Sequence, residues 1–122
     1  MPLDPVAAGL LQQMADAGAP PLNEQTPADA RVAAEGFIAL GGPGDDIAEA
    51  VDRSVPGPHG DIPIRIYRPN VASSDPLPCL VYYHGGGWVL GSIDSTDAVC
   101  RAVSNRAGCV VVSVEYRLSP EF

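Results

Sequence analysis

The sequence contains no lysine: all seven cationic side chains are arginines, against fifteen acids, for a net charge of −8. A nucleic-acid or anionic-membrane surface needs a concentrated cationic face, so this balance argues against both partners. It suits a protein acting on a neutral or small substrate. No stretch approaches the ~20 apolar residues of a membrane span. The start, Met1-Pro2-Leu3-Asp4-Pro5, has neither a cationic run nor an apolar core, so no signal peptide is expected and the cytoplasm is the expected location. Cysteine is scarce as well. Cys79, Cys100 and Cys109 are an odd set without a CxxC pair. Their apolar settings predict buried, reduced thiols. His59 and His84 stand at no zinc-ligand spacing to them, so no metal is expected.

Hydrophobic residues make up 46% of the 122 positions, enough for a packed core in one domain. The first segment reads as a helix, with Asp4 as its cap, Pro5 in the first position and Gly18 at the exit. Val6, Leu10, Leu11 and Met14 fall on one face. After the break at Ala19-Pro20-Pro21, Thr26-Pro27 repeats the start signal, with Asp29 in the first turn. Ala30, Ala33, Ala34, Phe37 and Ile38 form a second apolar face, which Gly41-Gly42 is expected to end. Such a pair of helices is ordinarily structural packing; a lid over a pocket is its functional alternative.

From Ala48 the apolar period drops to two. Val51, Arg53 and Val55 alternate with polar or small residues, and Ile62, Ile64 and Ile66 alternate with Pro63, Arg65 and Tyr67. The turn cluster from Pro56 to Asp61 lies between them. This predicts a β-hairpin with one buried face and, because Pro63 cannot donate to a ladder, an exposed edge on its second strand. Further on, Cys79 to Tyr83 is a continuous apolar run. A glycine-rich loop follows, then a helix from about Ser95 to Ala107 with Asp94, Ser95 or Thr96 as its cap and Gly108 as its stop. The β-branched run from Cys109 to Glu115 completes a βαβ unit, so the fold class is α/β. One crossover helix cannot cover both faces of such a sheet, and the last strand is expected to leave a flat apolar edge. The layout therefore predicts an incomplete domain.

The informative loop is His84-Gly85-Gly86-Gly87-Trp88. Successive glycines permit unusual backbone angles and let N–H groups approach a ligand with no side chain between. Such a loop can hold an anion or a developing oxyanion. The dinucleotide fingerprint fails at Leu90, and the P-loop spacing from Gly86 to Gly91-Ser92 lacks its lysine. Phosphate held by backbone alone stays open, as does a plain tight turn with Trp88 as packing.

Four stretches carry a narrower signal. They are Pro56-Gly57-Pro58-x-Gly60-x-Ile62-Pro63-Ile64-Arg65-Ile66-Tyr67-Arg68-Pro69; Tyr83-His84-Gly85-Gly86-Gly87-Trp88; Asp97-x-x-Cys100-Arg101; and Tyr116-Arg117-Leu118-x-Pro120-Glu121. Through them the chain resembles the hormone-sensitive-lipase family of carboxylesterases, which have the α/β-hydrolase fold and an HGGG-type loop. The resemblance implies an incomplete α/β-hydrolase fold, with residues 1–47 as an N-terminal helical cap segment and residues 48–122 as the start of the core. It implies a small acyl ester as substrate, with no cofactor. Gly86 and Gly87 would be the backbone donors to the oxyanion. His84, with Gly85, would support the loop by hydrogen bonding and would not be the catalytic base; Trp88 would pack behind the loop or line the pocket. Three positions depart from the pattern: Glu115 replaces an Asp, Ser119 an Ala, and Thr96 a frequent His.

The family's chemistry needs a serine on a G-x-S-x-G elbow, then an acid, then a histidine. No serine among these residues has a glycine two positions before it, and His59 in the hairpin turn reads as solvated surface. An oxyanion donor is worth roughly 10²–10³ in rate only when a nucleophile is present to use it. These residues alone are therefore expected to be inactive and to need the C-terminal remainder of the fold. Two rival readings remain: a non-catalytic ligand-binding relative, and a small standalone βαβ binding module.

Overall fold

The computed structural model describes residues 2–18, 20–36, 38, 42–73 and 75–122. Ala19 of the predicted break, Phe37 of the second apolar face and Gly41 of its stop lie outside them. Helix α1 spans Pro5–Asp16. The Asp4 carboxylate accepts the N–H groups of Val6 (2.8 Å) and Ala7 (3.4 Å), which helix geometry leaves unpaired. Its apolar face is exposed at Val6, Leu10, Leu11 and Met14. Helix α2 spans Pro27–Glu35, with the Thr26 hydroxyl accepting the Asp29 N–H at 3.2 Å. Gly36 occupies the cap position at φ −58° and ψ −26°, still in the helical region. Only Ala30 of this helix is buried.

Four strands form one sheet in the order β1-β2-β4-β3. β1 (Glu49–Val55) pairs antiparallel with β2 (Ile62–Arg68), Val51 opposite Ile66. β4 (Val110–Val114) pairs antiparallel with β2, Ile66 opposite Val112, and parallel with β3 (Cys79–Tyr83), Val81 opposite Val112. The hairpin and the βαβ unit are as expected, and three details differ. β2 is an interior strand, because the β2–β4 ladder runs from Tyr67 only to Ile64 and Pro63 falls just past its end. There Pro63 still accepts the Glu115 N–H at 3.0 Å through its carbonyl, and no donor is asked of it. The last strand is interior too; β3 is the apolar edge, with Leu80, Val81 and Tyr83 exposed. Cys79, on that edge, is exposed, while Cys100 and Cys109 are buried as expected.

The hairpin also buries both faces of β2. Ile64 is buried on the expected face and Tyr67, of opposite parity, has no exposure at all. Tyr67 joins Cys100, Cys109 and Val111 in the core beneath helix α3 (Asp97–Ala107). A short 3₁₀ turn, Asp94–Thr96, leads into α3, and Gly108 ends it at φ 61°, a left-handed angle that glycine takes without steric cost. The buried Ser104 hydroxyl donates to the Cys109 carbonyl at 2.7 Å and so closes the exit. No helix among the described residues is long and apolar enough to cross a membrane.

Polar bonds fasten α3 to the hairpin. The Asp97 carboxylate accepts the Tyr67 hydroxyl (2.8 Å), Arg101 Nε (2.6 Å) and Arg65 Nη1 (3.3 Å). Arg65 also grips Asp52 through Nε and Nη2 (2.6 and 3.1 Å) and Asp94 through Nη1 (2.8 Å). Partial burial disfavours the Asp97 carboxylate, but the bonds from Arg101 and Tyr67 outweigh it and hold its pKa below the ordinary value. The Tyr67 hydroxyl is pushed well up, first by burial and then by its bond to Asp97.

Candidate active-site loop

The glycine-rich loop leaves the end of β3, beside the parallel strand β4. Gly86 has φ 128° and Gly87 φ 60°. The Gly86 carbonyl accepts the N–H groups of Val89 (3.1 Å) and Leu90 (2.9 Å), which curls the loop back on itself. A Cβ on Gly86 would lie 2.0 Å from the Leu90 carbonyl oxygen, so only glycine fits. Gly91, at φ 93°, is equally constrained: its Cβ would meet His84 Nδ1 at 2.5 Å. Gly85 and Gly87 have nothing within 4 Å of that position. Among the described residues, the N–H groups of Gly86 and Gly87 donate to no backbone or side-chain acceptor. Beside them opens a groove of about 260 Å³, bordered by Leu22, Asn23, Pro27 and Ala30 from the N-terminal segment.

His84 is 4% exposed and sits at the root of the loop. Its Nδ1 lies 2.9 Å from the Gly85 carbonyl, which can only accept, so a hydrogen bond there requires the proton on Nδ1. The Tyr116 hydroxyl donates to the His84 carbonyl at 2.6 Å and lies 3.2 Å from Nδ1, and the two rings stack at 4.3 Å between centroids. Glu115 reaches both ends of the loop. One carboxylate oxygen accepts the Ile93 N–H at 2.8 Å, and the other lies 3.8 Å from His84 Nε2. Burial, then the charge of Glu115, pushes the Tyr116 hydroxyl pKa up, so it stays a donor through the neutral range.

Trp88 has φ 60° and is 75% exposed. The Trp88 carbonyl accepts the Ser119 N–H at 2.8 Å. His59 is exposed in the hairpin turn, as its setting predicts. Among the described residues no cluster of three or more His, Cys, Asp or Glu could hold a metal ion.

Three residues at the loop escaped sequence reasoning. Tyr116 and Glu121 lie inside a matched stretch, but nothing in that stretch says which neighbour they serve. Arg31 of α2 binds the Val89 carbonyl, 58 positions away, and no local pattern signals it.

A family model described as alpha/beta hydrolase fold matches residues 80–122, from β3 onward. Among curated relatives, the carboxylic ester hydrolase LipN of Mycobacterium tuberculosis is 50% identical over 80 residues, covering 65% of this chain and 21% of that protein. An arylesterase of Saccharolobus solfataricus is 35% identical over all 122 residues, which cover 39% of it. The ester hydrolase EH1AB1 from the metagenome of Lake Arreo, solved with a bipyridine phosphonate derivative, superposes with a TM-score of 0.89 at 37% identity, over 98% of this chain and 39% of that one. The chain thus spans about two fifths or less of the length of these relatives. The strand order, the loop at the end of β3 and these likenesses agree: the chain belongs to the α/β-hydrolase fold family and, within it, to the hormone-sensitive-lipase-like group.

Proposed function

We propose that the protein carrying these residues is a serine carboxylic ester hydrolase acting on small acyl esters, with residues 1–47 as a helical cap segment and residues 48–122 as the first part of the catalytic core. In this reading the N–H groups of Gly86 and Gly87 form an oxyanion hole. Attack on an ester carbonyl moves charge onto its oxygen, and donors fixed beforehand at that point lower the barrier without reorganising. His84 and Gly85 brace the loop, and Trp88 packs behind it or lines the pocket. His84 is not the base, because its side chain is fully buried at the root of the loop, with Nδ1 against Gly85 and Tyr116 and Nε2 facing Glu115 at 3.8 Å. The nucleophile, acid and base come from outside these residues, so residues 1–122 alone bind the oxyanion side and do not turn over.

The observation that carries the proposal is the pair of unengaged N–H groups at Gly86 and Gly87, on a turn whose carbonyl side is pinned by Val89 and Leu90. A cytoplasmic location belongs to the same proposal; the free, buried thiols of Cys100 and Cys109 suit a reducing compartment. The test is hydrolysis of p-nitrophenyl acetate and butyrate by the full-length protein, with phosphonate ester inactivation as a second readout. Turnover and stoichiometric inactivation are expected. A folded full-length protein that binds such esters and neither hydrolyses them nor reacts with the phosphonate is a non-catalytic relative, and the proposal fails.

A further inference from the structure

Among the described residues, four hydrogen bonds join residues 2–36 to the rest of the chain, and Arg31 donates all of them. From α2, its Nε donates to the Val89 carbonyl at 2.8 Å. Its Nη2 donates to the Ser119 carbonyl at 2.9 Å. Nη1 and Nη2 grip the two Glu121 carboxylate oxygens at 2.9 and 2.8 Å. The guanidinium thus bridges two chain segments, the glycine-rich loop and the stretch after β4, which also meet through the Ser119 N–H to Trp88 carbonyl bond of 2.8 Å and, at the root of the loop, through the Tyr116 hydroxyl to His84 carbonyl bond of 2.6 Å. Val89 belongs to the turn that orients the glycines, because its own N–H donates to the Gly86 carbonyl at 3.1 Å.

We propose that Arg31 is a positioning residue for the oxyanion donors: by clamping the Val89 carbonyl from α2, it fixes the turn that aims the N–H groups of Gly86 and Gly87. The inference rests on the reading of those glycines as donors. Arg31 touches no reacting atom. Three consecutive glycines make a soft segment, and an oxyanion donor works only when held within a few tenths of an ångström of its target. Gly86 and Gly87 carry no side chain that could hold them, so the restraint has to come through neighbouring backbone. Arginine suits this task because its donors sit in a rigid plane; a lysine ammonium keeps the charge but cannot span Val89, Ser119 and Glu121 together. Glu121 orients the fork, and its bond to Arg31 holds its own pKa down at about 2, so the pair stays charged at any working pH.

The plainer account is an ion pair that fastens the N-terminal segment and nothing more. An exchange of the two residues separates the accounts. Arg31→Glu with Glu121→Arg restores opposite charges but leaves the Val89 carbonyl without its Nε donor. The experiment measures kcat and KM for p-nitrophenyl butyrate, and the melting temperature, in the full-length protein. Arg31→Ala is expected to lower kcat about 10- to 100-fold, part of the loss seen when an oxyanion donor is removed outright, with KM within about threefold. Arg31→Lys should recover melting temperature more than kcat. The exchanged pair should leave kcat low. If Arg31→Ala does not fold, Arg31→Lys decides: kcat down at least about fivefold at a near-normal melting temperature supports the inference, and unchanged kcat overturns it. An exchanged pair with wild-type kcat also overturns it. An active wild type with an unaffected Arg31→Ala overturns this inference alone, whereas a wild type without ester hydrolysis overturns the oxyanion reading and this inference together.

Discussion

Replacing Gly86 with alanine tests the loop geometry most directly. The added Cβ would stand 2.0 Å from the Leu90 carbonyl oxygen and 3.1 Å from its Cα, against backbone on both counts. Relief requires the turn to open by more than an ångström. The 2.9 and 3.1 Å bonds from Leu90 and Val89 to the Gly86 carbonyl then break, at about 1 kcal/mol each. The φ of 128° adds roughly 1–3 kcal/mol for any residue with a Cβ, unless the opening relieves it. The total is about 2–5 kcal/mol, spent either as strain in a closed loop or as a loop that has moved. Gly85→Ala is the control, since nothing lies within 4 Å of its Cβ position and its φ is not in the left-handed range; it should change stability by less than about 0.5 kcal/mol. Gly87→Ala falls between them, because it clashes with nothing but must hold φ 60°, at roughly 1–2 kcal/mol. Urea unfolding of the full-length protein gives the stability order, and p-nitrophenyl ester hydrolysis should follow it, with Gly86→Ala down about 10²–10³-fold in kcat. Equal effects of Gly85→Ala and Gly86→Ala would refute the argument, because of the two only Gly86 combines a left-handed φ with backbone where its Cβ would stand.

Asp97→Asn should cost about 2 kcal/mol in the same unfolding assay, between a surface ion pair and a fully buried one, since it leaves Arg65 and Arg101 facing a neutral amide. The folded-state pKa of Asp97 lies below its ordinary value, so its contribution is present above about pH 4 and fades as pH falls through the lower folded value; unfolding measured from pH 6 down to 2 should decline less steeply in Asp97→Asn than in wild type. Glu121, held down at about 2 by Arg31, should keep the latch charged through pH 4, and carboxyl-carbon NMR titration should place its midpoint well below that of a free glutamate; a midpoint near 4.5 would mean the latch is open in solution. In the 122-residue chain, Cys79 alone should react promptly with a thiol reagent, Cys100 and Cys109 only on unfolding, for burial shields both and raises the Cys100 pKa; three fast thiols would contradict the packing under α3.

Helix starts, the hairpin and the βαβ unit were legible because each is written in neighbouring residues. Asp4-Pro5 and Thr26-Pro27 supply a cap oxygen and a fixed φ within two positions, and Gly108 supplies the left-handed exit. The loop was legible for the same reason: its glycines are consecutive, and Gly86 and Gly91 stand where the backbone leaves no room for a Cβ. The strand order was not. Apolar runs mark Cys79–Tyr83 and Val110–Val114 as buried strands without saying which takes the middle, and the pairing of β2 onto β4 put β3 at the edge, where Cys79 is exposed. Tyr67 was read as the polar alternate of the isoleucines, yet α3 covers that face and makes it a core residue.

By itself the sequence determined the local conformations, the α/β class and a loop able to present bare N–H groups, since these depend on residues a few positions apart. Only the tertiary structure decided what holds that loop. His84 is braced by Tyr116, 32 positions on, and Arg31 reaches Val89 and Glu121 across 58 and 90 positions. A guanidinium satisfies any acceptor that the fold brings within 3 Å, so its partners follow from how the elements pack and leave no trace in spacing or period.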